Sequence, residues 1–295
     1  MWILCTLLTF LCWGIADLFY KIGNSGENNY NHLKTGIMVG LIMGLHATIY
    51  LIVTKTNISL IDVIKYLPVS LCYISSMIIG YKGLKYLELS ISSPIQNTSG
   101  VITALLFILF FKEQYDFPFY IALILIFIGI FTISILELKN SKEEKKNIII
   151  KKGIHLMVLF PIIYCILDGA GTFLDGIYLD KLELIGEGAS LVAYEYTFFF
   201  YAIIAYFYLR KKKEPFSISK EKPKLWAAIF ETIGEFFYVY AMSGNATISA
   251  PIVGSYCVLS MLLSRVVLNE KLTKKEYFGI FLVLIGILIL AFFNI

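Results

Sequence analysis

The sequence predicts an all-α integral membrane protein whose ten transmembrane helices form two inverted five-helix repeats, and three observations carry that prediction. Apolar residues make up 58% of the 295-residue chain and charged residues 16%, with a mean hydropathy of +0.78, far outside the balance of a soluble domain. The charges fall in short clusters between apolar stretches, each near the roughly 20 residues that cross the hydrocarbon core. Slid along itself by 157 positions, the chain places 81–136 over 238–293 without a gap, and 14 of the 56 pairs are identical.

The spans fall near 3–21, 35–54, 66–83, 91–111 and 118–137, then 155–178, 189–209, 225–243, 249–267 and 277–294. The first has no basic residue ahead of it and no A-x-A site behind it, so it reads as a span and not as a removable signal. The second carries Gly36, Gly40 and Gly44 on one face, which lets a neighbouring backbone approach; His46 lies off that face, hydrogen-bonded to a neighbour. The third and fifth are apolar runs bounded by charge. Between them the fourth sets Ser92, Gln96, Ser99 and Thr103 at i, i+4, i+7 and i+11, one face of a helix. Segment 139–152 (KNSKEEKKNIIIKK) is the most polar connection and separates a first repeat, 1–138, from a second, 153–295.

In the second half the sixth span carries Asp168, Thr172 and Asp175 on one face, and the seventh carries Glu195 between Tyr194 and Tyr196. The eighth sets Glu231, Glu235 and Tyr238 at i, i+4 and i+7. The ninth repeats the polar stripe of the fourth with Ser249, Tyr256, Ser260 and Ser264, and the tenth closes the chain as an apolar run. The two copies agree in detail: ISSPI (91–95) lies over ISAPI (248–252), Glu113 over Glu270, Tyr120 over Tyr277, and IGI (128–130) over IGI (285–287). Five spans per half, an odd number, turn the copies upside down relative to each other, an architecture recurrent in secondary transporters.

The CWGIADLFYK of the first span, the Y-x-G-L-x-Y and SxxSPI patterns between Tyr81 and Ile95, and the helix ending in FFKE (110–113) before an apolar span with IGI resemble the EamA family of the drug/metabolite transporter superfamily. The resemblance covers nearly the whole chain. It implies transport of small metabolites, often export, driven by gradients rather than ATP, across a family whose substrates span amino acids, quaternary amines, sugars and drugs. No G-x-x-x-x-G-K-[ST] phosphate loop occurs in the chain, in agreement.

The five odd-numbered connections hold 20 of the 25 Lys and Arg residues, which places them in the cytoplasm and both termini outside by the positive-inside rule. The family resemblance implies cytoplasmic termini instead. These clusters also account for the net charge of +4 by topology, so nucleic acid is not a partner. Cys5, Cys12, Cys72, Cys165 and Cys257 all lie in apolar stretches without CxxC spacing, implying neither a disulfide framework nor a metal site, and no cofactor is called for.

Lipid offers no hydrogen bonds, so the polar stripes need a helix neighbour or a wet cavity. Intramembrane carboxylates cost a few kcal/mol each and call for a reason. The candidate substrate-binding residues are therefore Gln96, Ser99, Thr103, Asp168, Glu195, Tyr238, Tyr256 and Ser260, around a cavity between the fourth and ninth spans. Glu231 and Glu235 are the proton-coupling candidates, because two carboxylates at i, i+4 repel when both are ionised. The competing structural reading pairs one of them with Arg265, the one Arg placed deep in a span, and pairs Asp17 with Lys21. Glu113 and Glu270 read as caps of the helices that follow them.

Twenty Tyr, 23 Phe and three Trp beside these acids favour a cationic substrate held by cation–π attraction, with a zwitterionic amino acid, its carboxylate on Arg265, as the other reading. The function that follows is secondary active transport, as export or exchange, of a small polar or cationic metabolite by alternating access, with Glu231 and Glu235 as the route to proton coupling, in a multi-pass protein of the cell membrane; the alternative is a passive channel or facilitator. The partners are a small-molecule substrate and the lipid bilayer, with a homodimer left open. His32, His46 and His155 lie far apart without H-E-x-x-H, against an enzyme.

Overall fold

A computed structural model describes residues 1–24, 28–83, 96–144, 159–269 and 272–293. Ser92 and the SPI run, the linker beyond Glu144, His155 and Glu270 lie outside the described residues. Among those described, the regular elements are helical: α1 Trp2–Asn24, α2 Asn31–Thr54, α3 Leu60–Gly83, α4 Ser99–Phe111, α5 Phe117–Glu144, α6 Leu159–Gly176 running into a π turn Ile177–Lys181, α7 Glu187–Lys211, α8 Lys222–Val253, α9 Tyr256–Val267 and α10 Lys274–Phe293. α1, α2, α3, α6 with its π turn, α7 and α10 are each long and apolar enough to cross a membrane, and α8 with α9 passes as a pair bent by 44°.

Helix starts follow local chemistry. At α3 the Ser59 amide donates to Asp62 at 2.9 Å, and the Asp62 amide donates back to the Ser59 hydroxyl at 3.2 Å. Thr273 and Glu276 make the same reciprocal box at α10. Pro118 and Pro223 stand in first turns, where no intrahelical amide bond is lost. The surface is apolar, with Ile52, Val53, Leu109, Phe127, Phe200, Ile204, Phe207, Phe281 and Leu288 exposed, while Asp17, Glu195, Glu231 and Glu235 are buried. That inversion suits a hydrocarbon solvent.

Glycines set the close helix pairs. Gly36, Gly40 and Gly44 of α2 face Tyr201, Phe198 with Ala202, and Phe199 of α7, so the glycine face does pack on a neighbouring backbone. Gly80 and Gly171 bring α3 against α6 beside Tyr164 and Tyr73. α5 and α10 cross antiparallel: Gly129 meets Val283 and the Gly279 carbonyl, while Gly286 meets Ile126 and the Ala122 carbonyl. These contacts are reciprocal, since adding 157 to 122, 126 and 129 gives 279, 283 and 286.

α8 is not one rod. Asn245 leaves helical geometry (φ −168°, ψ 93°), and α1 reports the result. Trp2 lies against Gly244, Thr9 Oγ1 donates to the Gly234 carbonyl at 3.3 Å and Trp13 Nε1 to the Glu231 carbonyl at 3.3 Å, an antiparallel run. Past Asn245 the order reverses: Thr6 Oγ1 is 2.9 Å from Ser249 Oγ, and Leu259 packs on Gly14. The chain therefore doubles back at Asn245, whose Oδ1 accepts the Ile248 amide at 3.0 Å and so starts the returning leg. That leg bends again at Gly254 and Ser255.

Ionic clusters mark the two ends of the bundle. At one, Lys34 pairs with Glu214 at 2.8 Å and Glu221 at 3.7 Å, and Lys224 pairs with Glu221. At the other, Glu113 pairs with Lys181 and accepts from Thr247 Oγ1 at 2.6 Å, while Asp180 accepts the Ala246 amide at 2.9 Å. Glu113 thus does not cap α5, as its position before a helix suggested; it ties the α4–α5 connection to the reversal in α8. Burial pushes the Glu113 carboxyl up, but hydrogen bonds from Lys181 and Thr247 outweigh this and hold it below the usual carboxylate range.

Two predictions follow from packing and charge. A Cβ on Gly40 would sit 2.5 Å from the Phe198 carbonyl oxygen, whereas one on Gly186 meets nothing within 4 Å. Gly40→Ala should cost about 1–3 kcal/mol in detergent-solubilised protein and Gly186→Ala close to nothing; equal melting temperatures for the two would contradict the packing. The depressed carboxyl of Glu113 contributes stability above its unfolded pKa of about 4.3, and loses it as pH falls through its lower folded value. Glu113→Gln should lower the melting temperature at pH 7 and make little difference well below pH 4, read from melts at both pH values.

Candidate functional site

A cavity of about 880 Å³, counting its open mouth, lies where α1, α3, α4, α6, α8 and the returning leg converge. The helices deliver its wall by period. α1 turns Trp13, Asp17 and Tyr20 inward, α6 turns Tyr164, Asp168 and Thr172, and α8 turns Glu231, Glu235 and Tyr238, each set at spacings of three and four. α3 adds Tyr73, Gly80 and Tyr81, and α7 adds Tyr194. Gln96, Asn97, Ser99 and Gly100 face Ala250, Val253, Gly254 and Tyr256 across it.

Both of these last segments are interrupted at the cavity. Thr98 precedes the first residue of α4 and Ser255 the first residue of α9, and the two positions differ by 157. Two helix N-termini therefore open onto the same space, where the backbones nearly touch: a Cβ on Gly100 would lie 2.3 Å from the Ala250 carbonyl oxygen. Helices broken at a cavity wall are tolerated in a membrane because the cavity, and not lipid, meets the freed backbone groups.

The acids of the wall are held by hydroxyls. Ser99 Oγ donates to Asp168 Oδ2 at 2.7 Å, and Tyr20 OH donates to Glu231 Oε2 at 3.3 Å. Tyr73 and Tyr238 share a 2.7 Å hydroxyl contact, Tyr73 also donates to Thr172 Oγ1 at 3.2 Å, and Thr172 donates to the Asp168 carbonyl at 2.9 Å. The indole of Trp13 packs on Tyr238 with centroids 4.9 Å apart and edge-on to Tyr256 at 6.1 Å. Asp17, Asp168, Glu231 and Glu235 face the cavity with a Trp and seven Tyr, and no described residue of the wall is basic.

Of the residues singled out in the sequence, Gln96, Ser99, Asp168, Glu231, Glu235, Tyr238 and Tyr256 line this space, and Thr103, Glu195 and Ser260 do not. Thr103 donates to the Gly169 carbonyl at 3.2 Å and is a packing contact; Ser260 is buried. Glu195, fully buried, takes His46 Nδ1 on both oxygens at 2.7 and 2.9 Å. Asp175 is buried deeper along α6, where the Tyr66 hydroxyl donates to it. Arg265 corrects the sequence reading: it is exposed in the last turn of α9, 5.3 Å above the Tyr277 ring, and braces neither Glu231 nor Glu235.

Asp17, read in the sequence as the partner of Lys21, also stands in the wall. Its signal was the Trp13, Asp17, Tyr20 spacing of four and three. Tyr73 and Tyr81 escape a sequence reading because the acid of α3, Asp62, stands in its first turn, far along the helix from both tyrosines.

Comparison with known proteins agrees with the architecture. The model of the EamA-like transporter family matches residues 1–135 and 155–292. Twenty-eight chains of solved structures match the fold; one of them, a crystal structure of a protein 12% identical in sequence, covers 99% of this chain over 96% of its own, with a TM-score of 0.69. At that identity the likeness concerns fold alone. A search of curated proteins by sequence finds no match.

The His46–Glu195 pair lends itself to a double-mutant cycle. His46→Ala strands a buried carboxylate and should cost about 3 kcal/mol, while Glu195→Gln in the same background should recover part of that loss. Additive effects in thermal unfolding would show that the two side chains do not act as a pair.

Proposed function

Because the chain belongs to the EamA-like transporter family, a family of membrane transporters, we propose that it is a secondary active transporter that exchanges a small organic cation for protons by alternating access in the cell membrane. The observation that carries the substrate class is the wall itself: four carboxylates and eight aromatic side chains, with no basic residue among the described lining. A cation supplies the charge that such a wall lacks, and the faces of Trp13, Tyr238 and Tyr256 add cation–π attraction. The zwitterion reading loses support, since Arg265 stands outside the site.

Ten crossings in two inverted repeats, 1–138 and 153–295, are supported by the doubling back at Asn245 and by the reciprocal crossing of α5 and α10. Antiparallel helices related by a common offset imply a two-fold axis perpendicular to them, hence in the membrane plane. The excess of Lys and Arg in the odd connections supports a cytoplasmic location for those ends, with the termini outside.

Proton exchange is supported by the placement of Glu231 and Glu235 one turn apart in the wall. Two anions at that spacing retain a proton unless a cation neutralises them, so cation entry favours proton release and protonation favours cation release. In proteoliposomes with an acidic interior, radiolabelled tetraethylammonium should accumulate against its gradient. Asp168→Asn and Glu231→Gln should lower that accumulation at least tenfold, Glu235→Gln should flatten its pH dependence, and Glu144→Gln should do neither. Flux that only runs downhill, whatever the pH gradient, would instead favour a passive facilitator.

A further inference from the structure

Gln96 brings to the wall an N–H donor that a bare cation does not use. Its side chain is 6% exposed, it faces the cavity, and its Nε2 has no hydrogen-bond partner among the described residues. A buried donor that faces the cavity without a protein partner among the described residues is open to a hydrogen-bond acceptor that enters the site. The surroundings leave room for the amide: Gly80 of α3 has no side chain where a Cβ would come 3.2 Å from Nε2 and 2.7 Å from Tyr164 Cδ2.

Ser99, three residues on and joined to it through a helical Thr98 (φ −68°, ψ −15°), holds Asp168, which sets Gln96 about one helical turn, roughly 5 Å, along the chain from the residue that grips that carboxylate. The donor selects an electron-rich atom, while four neighbouring carboxylates oppose a full negative charge there.

We infer that the substrate is a two-ended amine: a cationic nitrogen held at the carboxylates and, two or three carbons away, a neutral hydrogen-bond-accepting oxygen, a hydroxyl, ether or carbonyl, that receives the Gln96 Nε2–H. This rests on the cation reading and adds Gln96 as the residue that sets specificity within it. The same arrangement explains why one copy of the repeat keeps an amide where the other has Val253: only one end of such a molecule needs a donor.

The test is calorimetric titration of the purified full chain at pH 7.5 with 3-aminopropan-1-ol, n-butylamine and 4-aminobutyrate. The amino alcohol should bind about tenfold more tightly than n-butylamine, the size expected of one hydrogen bond to a buried donor. Gln96→Leu should abolish the preference for the amino alcohol over n-butylamine. Equal binding of the two amines by the unaltered protein, or a preference that survives in Gln96→Leu, overturns the inference and leaves the cation reading standing. Tightest binding of 4-aminobutyrate overturns it in favour of a carboxylate at Gln96. Binding of none of the three removes the cation reading and this inference together. The comparison in the unaltered protein decides the matter even if the variant fails to fold.

Discussion

Everything in this fold answers to one constraint: carboxylates buried where the solvent is hydrocarbon. An ionised carboxylate in such surroundings is unstable unless polar groups replace its water. The chain meets part of that demand with hydroxyls. Ser99 serves Asp168, Tyr20 serves Glu231 and Tyr66 serves Asp175, while His46 serves Glu195 from the flank. Tyrosine suits the task because its ring pays for burial while its hydroxyl turns to an acid. The helices are arranged to aim those hydroxyls, and the glycine contacts let α2 meet α7 and α3 meet α6 closely enough for them to reach.

Two clusters of charged pairs stand at the two ends of the bundle. Lys34, Glu214, Glu221 and Lys224 clamp α2 to the approach to α8, and Glu113, Asp180 and Lys181 clamp the α4–α5 connection and α6 to the turn at Asn245. Between them the cavity is free of basic side chains among the described residues, so its electrostatic demand falls on whatever enters it. The breaks before Ser99 and Tyr256 belong to the same logic, since a helix interrupted inside a membrane is stable only where protein or cavity meets its free amides.

Much of this was legible in the sequence. The Gly36, Gly40, Gly44 face, the Asp168 and Glu231 faces and the stripe from Gln96 to Ser99 follow from helical period alone, because period fixes which residues share a face. Depth and azimuth do not follow from period. Arg265 looked deep because it lies within an apolar run, yet α9 ends two residues later and the guanidinium leaves over Tyr277. Thr103 and Ser260 share a stripe with cavity residues but sit farther along helices that diverge from it. Glu113 has the sequence position of a cap, and only the long-range approach of Lys181 and Thr247 shows that it is a tether. The doubling back at Asn245 was signalled by the break between apolar runs, while the second bend at Gly254 had no signal beyond a glycine after a proline.

The reciprocal crossing of α5 and α10 has a consequence for ancestry. A contact in which Gly129 meets 279 and 283 while Gly286 meets 122 and 126 reads the same from both sides, so either helix presents the surface that its partner requires. Two separate copies of a single five-helix chain, inserted in opposite orientations, would make that contact twice over without any change of residue. The cavity lining does not repeat in this way: Asp168, Glu231 and Glu235 come from 153–295, while 1–138 contributes Asp17 and the amide of Gln96. The packing surface is self-complementary, and the surface of the cavity is not.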